Sequence, residues 1–255
     1  MRSAVQIDEV IRLVNAANWY HSYEVVPGVI TPGNNFTNAV EIFDTRYSLP
    51  QDLSGKTALD IGTLDGPYAF EMERRGAKVT AMDIQHPDRT GFNTAKRVRG
   101  SSARYIQGSV YDLGSLLDQQ FDIVTFFGVW YHLKNPVAAF EQLHRAVNDD
   151  GMLLFEGECF KSFAQLASGH PVEDLVMLRS VADSQIPVAL YYSGAYKGDE
   201  WSWFVPNAAC VGEWLATAGF EITAHGFWDD HPHQRMYGSA SKRPSFDTVV
   251  DNPVW

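Results

Sequence analysis

The stretch Thr57-Ala58-Leu59-Asp60-Ile61-Gly62-Thr63-Leu64-Asp65-Gly66-Pro67-Tyr68 decides the fold. Thr57 to Ile61 is a short apolar run stopped by Gly62, and the Gly66-Pro67 turn opens a helical segment, Tyr68 to Arg75. The same alternation continues downstream. Lys78 to Asp83 reads as a strand, Asn93 to Arg99 as a polar helix, Ala103 to Gln107 as a strand, and Asp112 to Leu117 as a short helix capped by Asp112. Phe121 to Phe127 is an apolar, β-rich run, and Pro136 to Val147 is a helix with proline in its first turn. Met152 to Phe155 is a fifth strand, behind Asp149-Asp150-Gly151. Strands alternating with helices in this way predict a doubly wound α/β fold, a mostly parallel sheet covered on both faces.

In such a sheet, ligands sit beyond the carboxyl ends of the strands where strand order reverses, so the turn after Ile61 is the place to look. A dinucleotide fingerprint starting at Gly62 needs glycines at 64 and 67, where this chain has Leu64 and Pro67, and no GxxxxGK[ST] phosphate loop occurs. A nicotinamide or flavin dinucleotide is therefore disfavoured. Asp83 ends the second strand, about 20 residues beyond Asp60, where a carboxylate accepts paired hydrogen bonds from ribose hydroxyls. The expected ligand is a nucleoside without phosphates.

The chain has 255 residues, 45% of them hydrophobic, enough for a sizeable core in one large domain. Its net charge of −11 repels phosphate backbones, so nucleic acid is an unlikely partner on charge alone. The one basic group, Lys96, Arg97, Arg99 and Arg104, reads more simply as a solvated helix end. Cys159 and Cys210 form no disulfide framework, Met1 to Val10 lacks a signal-peptide pattern, and no run approaches the ~20 apolar residues of a membrane span. A cytoplasmic protein, free of membrane and with a homo-oligomer left open, is the expectation.

The first 50 residues hold an amphipathic stretch with Ile7, Val10, Ile11, Val14 and Ala17 on one face, then the aromatic cluster Trp19, Tyr20, His21 and Tyr23. They are expected to form a cap on the domain 51–255. Residues 157–204 read as an insertion after strand five, with one helix from Val172 to Val181. Asn207 to Ala218 is an amphipathic helix ended by Gly219, followed by strands Glu221 to His225 and Gln234 to Ser241.

Leu59 to Gly66 with Asp83 resembles the class I S-adenosylmethionine-dependent methyltransferases. Phe121 to Phe127 followed by Gly128-Val129-Trp130-Tyr131-His132-Leu133 and Pro136 is similar to the branch containing the tRNA wobble-uridine carboxymethyltransferases. The segments Trp203 to Asn207, Trp214-Leu215 and Ala218 to Phe220 resemble that branch too. The resemblance implies a seven-stranded, Rossmann-like methyltransferase fold with S-adenosyl-L-methionine as cofactor. It also implies that Asp60, Gly62 and Gly66 surround the methionine part, Asp83 binds the ribose, Ile84, Ser109 and Val110 line the adenine, and Gly128 and Tyr131 lie near the transferred group. Leu64 and Ser109 depart from the family pattern, which has a small and an acidic residue there. The branch holds an extra cofactor carboxylate through a lysine, a tyrosine and an arginine. Tyr131 and Arg235 match the last two, but residues 1–55 contain no lysine.

The expectation is thus methyl transfer to a small-molecule acceptor, a hydroxyl of a natural product or sugar. The alternatives are carboxymethyl or methyl transfer to tRNA wobble uridine, and a methyltransferase-like binding module without chemistry. The sulfonium carries the activated group, so the protein supplies position and a dry site. Trp19, Tyr20, Trp130 or Tyr131 are aromatic neighbours for the cation, the bland reading of Trp130 and Tyr131 being core packing. For a hydroxyl acceptor His132 and His21 are candidate bases, their structural readings being a loop hydrogen bond and a packed lid residue. Asp229, Asp230, His231 and His233 read as a polar loop rather than a metal site. Tyr191, Tyr192, Tyr196, Trp201 and Trp203 form either an acceptor pocket or a packing cluster.

Overall fold

The structure, a computed structural model, describes residues 4–160, 180–181, 184–192, 200–228 and 234–243. The chain divides into two compact units, residues 1–125 and 126–255.

In the first unit the helix α1 (Ala4–Asn15) buries Val10 and Val14, with Ile7 and Leu13 half-buried beside them. Ile11, expected on the same face, is 40% exposed. The aromatic cluster after α1 is woven into two small sheets. The strands β1 (His21–Ser22) and β4 (Asn35–Phe36) pair in parallel, and β2 (Glu24–Val26) and β3 (Val29–Ile30) form a hairpin about Pro27-Gly28. A helix α2 (Ala39–Arg46) follows, capped by the Asn38 side chain accepting from the Glu41 N–H. Strands of two or three residues are too short to show an alternation of apolar and polar residues.

Three parallel strands follow: β5 (Thr57–Ile61), β6 (Lys78–Asp83) and β7 (Arg104–Gln107). Burial runs unbroken from Ala58 to Ile61 and from Val79 to Asp83, as in strands covered on both faces. Between them the helix α3 (Pro67–Arg74) starts at a left-handed Gly66 with Pro67 in its first turn, the position where proline's missing N–H costs nothing. Its buried Phe70 stacks on Phe92 of the helix α4 (Phe92–Arg99), ring centroids 5.0 Å apart. Lys96, Arg97 and Arg99 occupy the last turn of α4, where cations offset the helix dipole. Arg99 donates to the Val25 carbonyl at 2.6 Å and lies over Phe70, and Arg104 faces Asp118. Two of the four basic residues, Arg99 and Arg104, are thus engaged within the unit. Behind α3, the enclosed Arg75 guanidinium holds Glu71, Asp44 and the Leu49 carbonyl at 2.8, 2.8 and 2.7 Å.

Asp112 stands at the N-cap of the short helix α5 (Leu113–Leu116), as expected, but makes no side-chain capping hydrogen bond there, and it also ends a 3-10 turn, Val110–Asp112. That turn is capped by Ser109, which accepts from the Tyr111 N–H at 3.2 Å. The strand β8 (Phe121–Phe127) crosses the boundary between the units.

The second unit continues with a 3-10 turn, Trp130–His132, and α6 (Pro136–Ala146), capped by Asn135 accepting from Ala138. The strand β9 (Val147–Glu158) runs well past the expected Phe155, because β13 (Arg235–Lys242) pairs with it as far as Glu158. The short strands β10 (Ala189–Tyr191) and β11 (Phe204–Pro206) are antiparallel partners. The helix α7 (Ala208–Thr217) and the strand β12 (Phe220–Trp228) complete the unit. Asn207 caps α7 and uses its whole amide: Oδ1 accepts from Cys210 and Val188, and Nδ2 donates to Val181 and Ile186. The expected helix Val172 to Val181 lies outside the described residues except for its last two.

The central sheet has seven strands in the order β12-β13-β9-β8-β5-β6-β7, mostly parallel, with β13 antiparallel to both its neighbours. Chain order reverses after β5, the feature that places ligands at strand ends in open α/β sheets.

Candidate functional site

The turn after β5 is tied to the end of β6 by the backbone, the Gly62 and Thr63 N–H groups donating to the Met82 carbonyl at 2.9 and 3.1 Å. Asp60 is buried, its Oδ1 accepting from the Thr125 hydroxyl at 2.6 Å. Asp60 Oδ2 and Thr63 Oγ1 are buried and have no hydrogen-bond partner among the described residues. Burial pushes the Asp60 carboxyl above the usual carboxylate range, and the Thr125 hydroxyl opposes that shift.

Asp83 accepts from the Leu64 N–H at 3.0 Å through one oxygen and from the Gln85 N–H at 2.9 Å through the other. Burial raises its pKa, and these amides hold it back. Each carboxylate oxygen has two acceptor lone pairs, so both keep capacity for a ribose hydroxyl. Leu64, which stands where the family pattern has a small residue, adopts a left-handed φ of 48°. That conformation costs a non-glycine residue about 1–2 kcal/mol, and here it aims the Leu64 N–H at Asp83. Ile84 is 70% exposed beside this end of β6, Val110 is buried, and Ser109 is occupied as a cap.

His21, from β1, meets the same turn. Its Nδ1 is hydrogen-bonded to Oδ1 of Asp65, and Asp65 Oδ2 accepts from the backbone N–H groups of Tyr20 and His21 at 2.9 and 2.8 Å. The Tyr23 hydroxyl donates to the Asp65 carbonyl at 2.8 Å. Asp65 is 0% exposed. It sits inside the stretch that decided the fold, yet its identity alone did not mark it as a partner for a histidine far away in sequence. A separate cleft of about 550 Å³ in this unit, lined by Val25, Phe36, Ala39, Pro67 and Glu71, contains none of Asp60, Gly62 or Asp83.

In the second unit Gly128 has a φ of 71° and donates its N–H to the Glu156 carbonyl at 2.9 Å. Trp130 is fully buried between Phe140 and Phe155, its indole N–H on the Glu158 carbonyl, so the packing reading holds for it. Tyr131 is nearly buried. Its hydroxyl lies 3.3 Å from Arg235 Nη2, with the guanidinium over its ring. Arg235 is bound by Glu156 through Nε and Nη2 and by Glu158 at 3.0 Å. Burial opposes the Arg235 charge, but Glu156, Tyr131 and Glu158 outweigh it and hold the pKa above its ordinary value. Glu156 and Glu158 were not singled out from sequence, although their spacing of two on a strand puts both on one face. His132 is exposed, Nδ1 lying 3.2 Å from the Trp201 carbonyl and the ring against Tyr131.

Of the later aromatics, Tyr192 is buried with Phe160 and Val205, Tyr191 and Trp201 are 62% and 72% exposed, and Lys134 lies over Trp203. Tyr196 and the group Asp229, Asp230, His231 and His233 lie outside the described residues. Among the described residues no group of His, Cys, Asp or Glu is arranged to hold a metal ion, and no helix is long and apolar enough to cross a membrane.

The family model described as "Methyltransferase domain" matches residues 59–155. The ubiquinone biosynthesis O-methyltransferase of Pseudomonas syringae pv. tomato is 31% identical over 104 residues, covering 41% of this chain and 45% of that protein. The tRNA U34 carboxymethyltransferase of Aeromonas hydrophila is 28% identical over 171 residues, covering 66% of this chain and 45% of that protein. The chain thus spans about half the length of the curated relatives it matches. Among solved structures, the N-terminal domain of EvdMO1, crystallised in the presence of SAH and D-fucose, aligns over 95% of this chain and 98% of its own, with a TM-score of 0.64 and 14% identity. Sequence and fold point the same way: residues 59–155 are similar to methyltransferase domains, the similarity to a tRNA U34 carboxymethyltransferase extends over 171 residues, and the fold resembles that of the EvdMO1 N-terminal domain.

Proposed function

We propose that this chain is a cytoplasmic S-adenosylmethionine-dependent methyltransferase whose acceptor is a small molecule presenting a hydroxyl, as on a natural product or sugar. The residues present fit the cofactor. Asp60 Oδ2 and Thr63 Oγ1 are buried polar atoms with spare capacity, Asp83 retains lone pairs for two ribose hydroxyls, and the exposed Ile84 offers an apolar face for the base. Within the first unit Gly62, Gly66, Ser109 and Val110 complete the proposed cofactor contacts and His21 is the proposed acceptor-side residue; Gly128, Tyr131 and His132 are proposed site residues of the second unit on the family resemblance alone. The bound cofactor supplies a methyl group already activated on a sulfonium, so the chain's own residues position it, exclude water and take up the acceptor's proton. Residues 1–50, anchored through Asp65, serve as the cap.

One observation carries the choice of methyl over carboxymethyl: Arg235 is already paired with two carboxylates. Its cluster with Glu156 and Glu158 has a net charge of minus one, and a further buried carboxylate there would be repelled rather than held. The absence of lysine from residues 1–55 and the net charge of −11 support the same reading against tRNA. The similarity to an O-methyltransferase supports an oxygen acceptor. The tRNA reading stays second because similarity to the carboxymethyltransferase covers more of the chain.

Calorimetric titration with S-adenosylhomocysteine, S-adenosylmethionine, its carboxylated relative and NADH tests the reading. The expected result is saturable binding of the adenosyl ligands, weakened in Asp83→Ala and no tighter for the carboxylated form. Preference for the carboxylated form puts tRNA first, a preference for NADH overturns the cofactor, and binding without turnover of any acceptor favours the non-catalytic module.

A further inference from the structure

Two histidines stand as candidate bases, and their ring partners differ. His132 is exposed and its Nδ1 faces a neutral backbone carbonyl, whereas His21 is largely buried and its Nδ1 faces the carboxylate of a fully buried aspartate. Asp65 has a second, independent constraint: two backbone N–H groups, of Tyr20 and His21, donate to its other oxygen. An ionised carboxylate only accepts, so the proton of the Asp65–His21 hydrogen bond belongs to Nδ1 in the neutral ring. Nε2 then carries the lone pair, and no hydrogen bond to Nε2 is made among the described residues. The side chain is 12% exposed, enough to leave one ring edge approachable.

The geometry points to Asp65 as a positioning residue that fixes the Nδ1–H tautomer of His21 and thereby makes His21 Nε2 the proton acceptor for the substrate hydroxyl. This inference rests on the methyltransferase reading above. In the step, the hydroxyl oxygen forms a bond to the methyl carbon while the carbon–sulfur bond breaks, its electron pair passing to sulfur. The hydroxyl proton moves to Nε2, so the positive charge lost at the sulfonium reappears on the imidazolium, against Asp65. A backbone carbonyl, as at His132, orients a ring but brings no full negative charge to the cation that forms.

Asp65→Asn separates this role from simple anchoring. The Tyr20 and His21 amides still require an oxygen, so the new side chain turns its oxygen to them and its NH₂ to His21 Nδ1. The ring must then accept at Nδ1 and carry its proton on Nε2. Nitrogen-15 NMR of histidine-labelled protein, with the His21 signals assigned by their loss in His21→Gln, reads the tautomer. Wild type is expected to show a protonated Nδ1 and a lone pair on Nε2, and Asp65→Asn the reverse. Carbethoxylation of His21, followed by mass spectrometry, should be about tenfold slower in the variant, as befits a base held in the wrong tautomer. Protonated Nε2 in wild type refutes the inference even if Asp65→Asn does not fold, and so does an unchanged tautomer in a folded variant. Titration of the same samples with S-adenosylhomocysteine keeps the two readings apart. Binding with the wrong tautomer removes only the role of the dyad, whereas the expected tautomer without binding removes the cofactor and with it the use of Nε2.

Discussion

Replacing Gly66 by alanine tests why the turn ends as it does. At its φ of 87° an added Cβ pays the left-handed penalty of about 1–2 kcal/mol. It would also lie 2.5 Å from Phe70 Cε2 and 2.9 Å from Phe92 Cδ2, and these two rings are buried and stacked on each other, so neither can yield. Forcing volume into a filled core adds about 1–3 kcal/mol, for roughly 2–5 kcal/mol together. Gly55 supplies the control, because its φ is 81° yet nothing lies within 4 Å of the added atom. Gly55→Ala carries the strain alone, partly offset by about 0.4–1 kcal/mol from a stiffer unfolded chain. At about 2–4 °C per kcal/mol for a chain of this size, thermal denaturation should place Gly66→Ala roughly 4–20 °C below wild type and Gly55→Ala within about 6 °C of it. Because Gly66 starts α3, S-adenosylhomocysteine affinity should fall with it and survive Gly55→Ala. Equal melting temperatures for the two variants would refute the crowding argument.

Asp83→Asn removes a charge-assisted acceptor worth about 1.5–3 kcal/mol, so the dissociation constant for S-adenosylhomocysteine should rise roughly 10–100-fold by calorimetry. Burial raises the Asp83 pKa, so wild-type affinity should hold above that raised value and fall as pH drops through it, with no such fall in Asp83→Asn. The raised Asp60 pKa means the folded state holds that proton more tightly than the unfolded state, a stability contribution present at low pH and lost as pH rises through the folded value. Asp60→Asn should therefore melt highest relative to unliganded wild type at neutral pH, the difference shrinking on acidification; a difference that grows would refute it. Arg75→Ala breaks an enclosed guanidinium away from Glu71 and Asp44 and should cost about 3–5 kcal/mol in urea unfolding, an unchanged midpoint being the contrary result.

What the sequence disclosed follows from how local the signals are. The strands Thr57–Ile61, Lys78–Asp83 and Phe121–Phe127 were legible to the residue because continuous apolar runs end in glycine or a charge. The placement of Asp83 at the end of β6 was legible because it depends only on where that strand stops. The strands between His21 and Phe36 were not, since pairs of two residues carry no period. The reach of β9 to Glu158 was hidden because its partner, β13, lies far along the chain. The same distance concealed Asp65 as the partner of His21 and Glu156 and Glu158 as the partners of Arg235: each residue is unremarkable alone, and only the fold sets them side by side.

The grip of Asp65 on Tyr20 and His21 also fixes an order of assembly. Those contacts span 45 and 44 residues, and closing a loop of that length costs about 3 kcal/mol by logarithmic scaling. The Asp65 contacts offset that entropy only once the carboxylate has been placed by the turn between β5 and α3. The parallel pair β5–β6 is therefore expected to form before Tyr20 and His21 are held, and their amides should be among the last in this unit to gain protection during refolding.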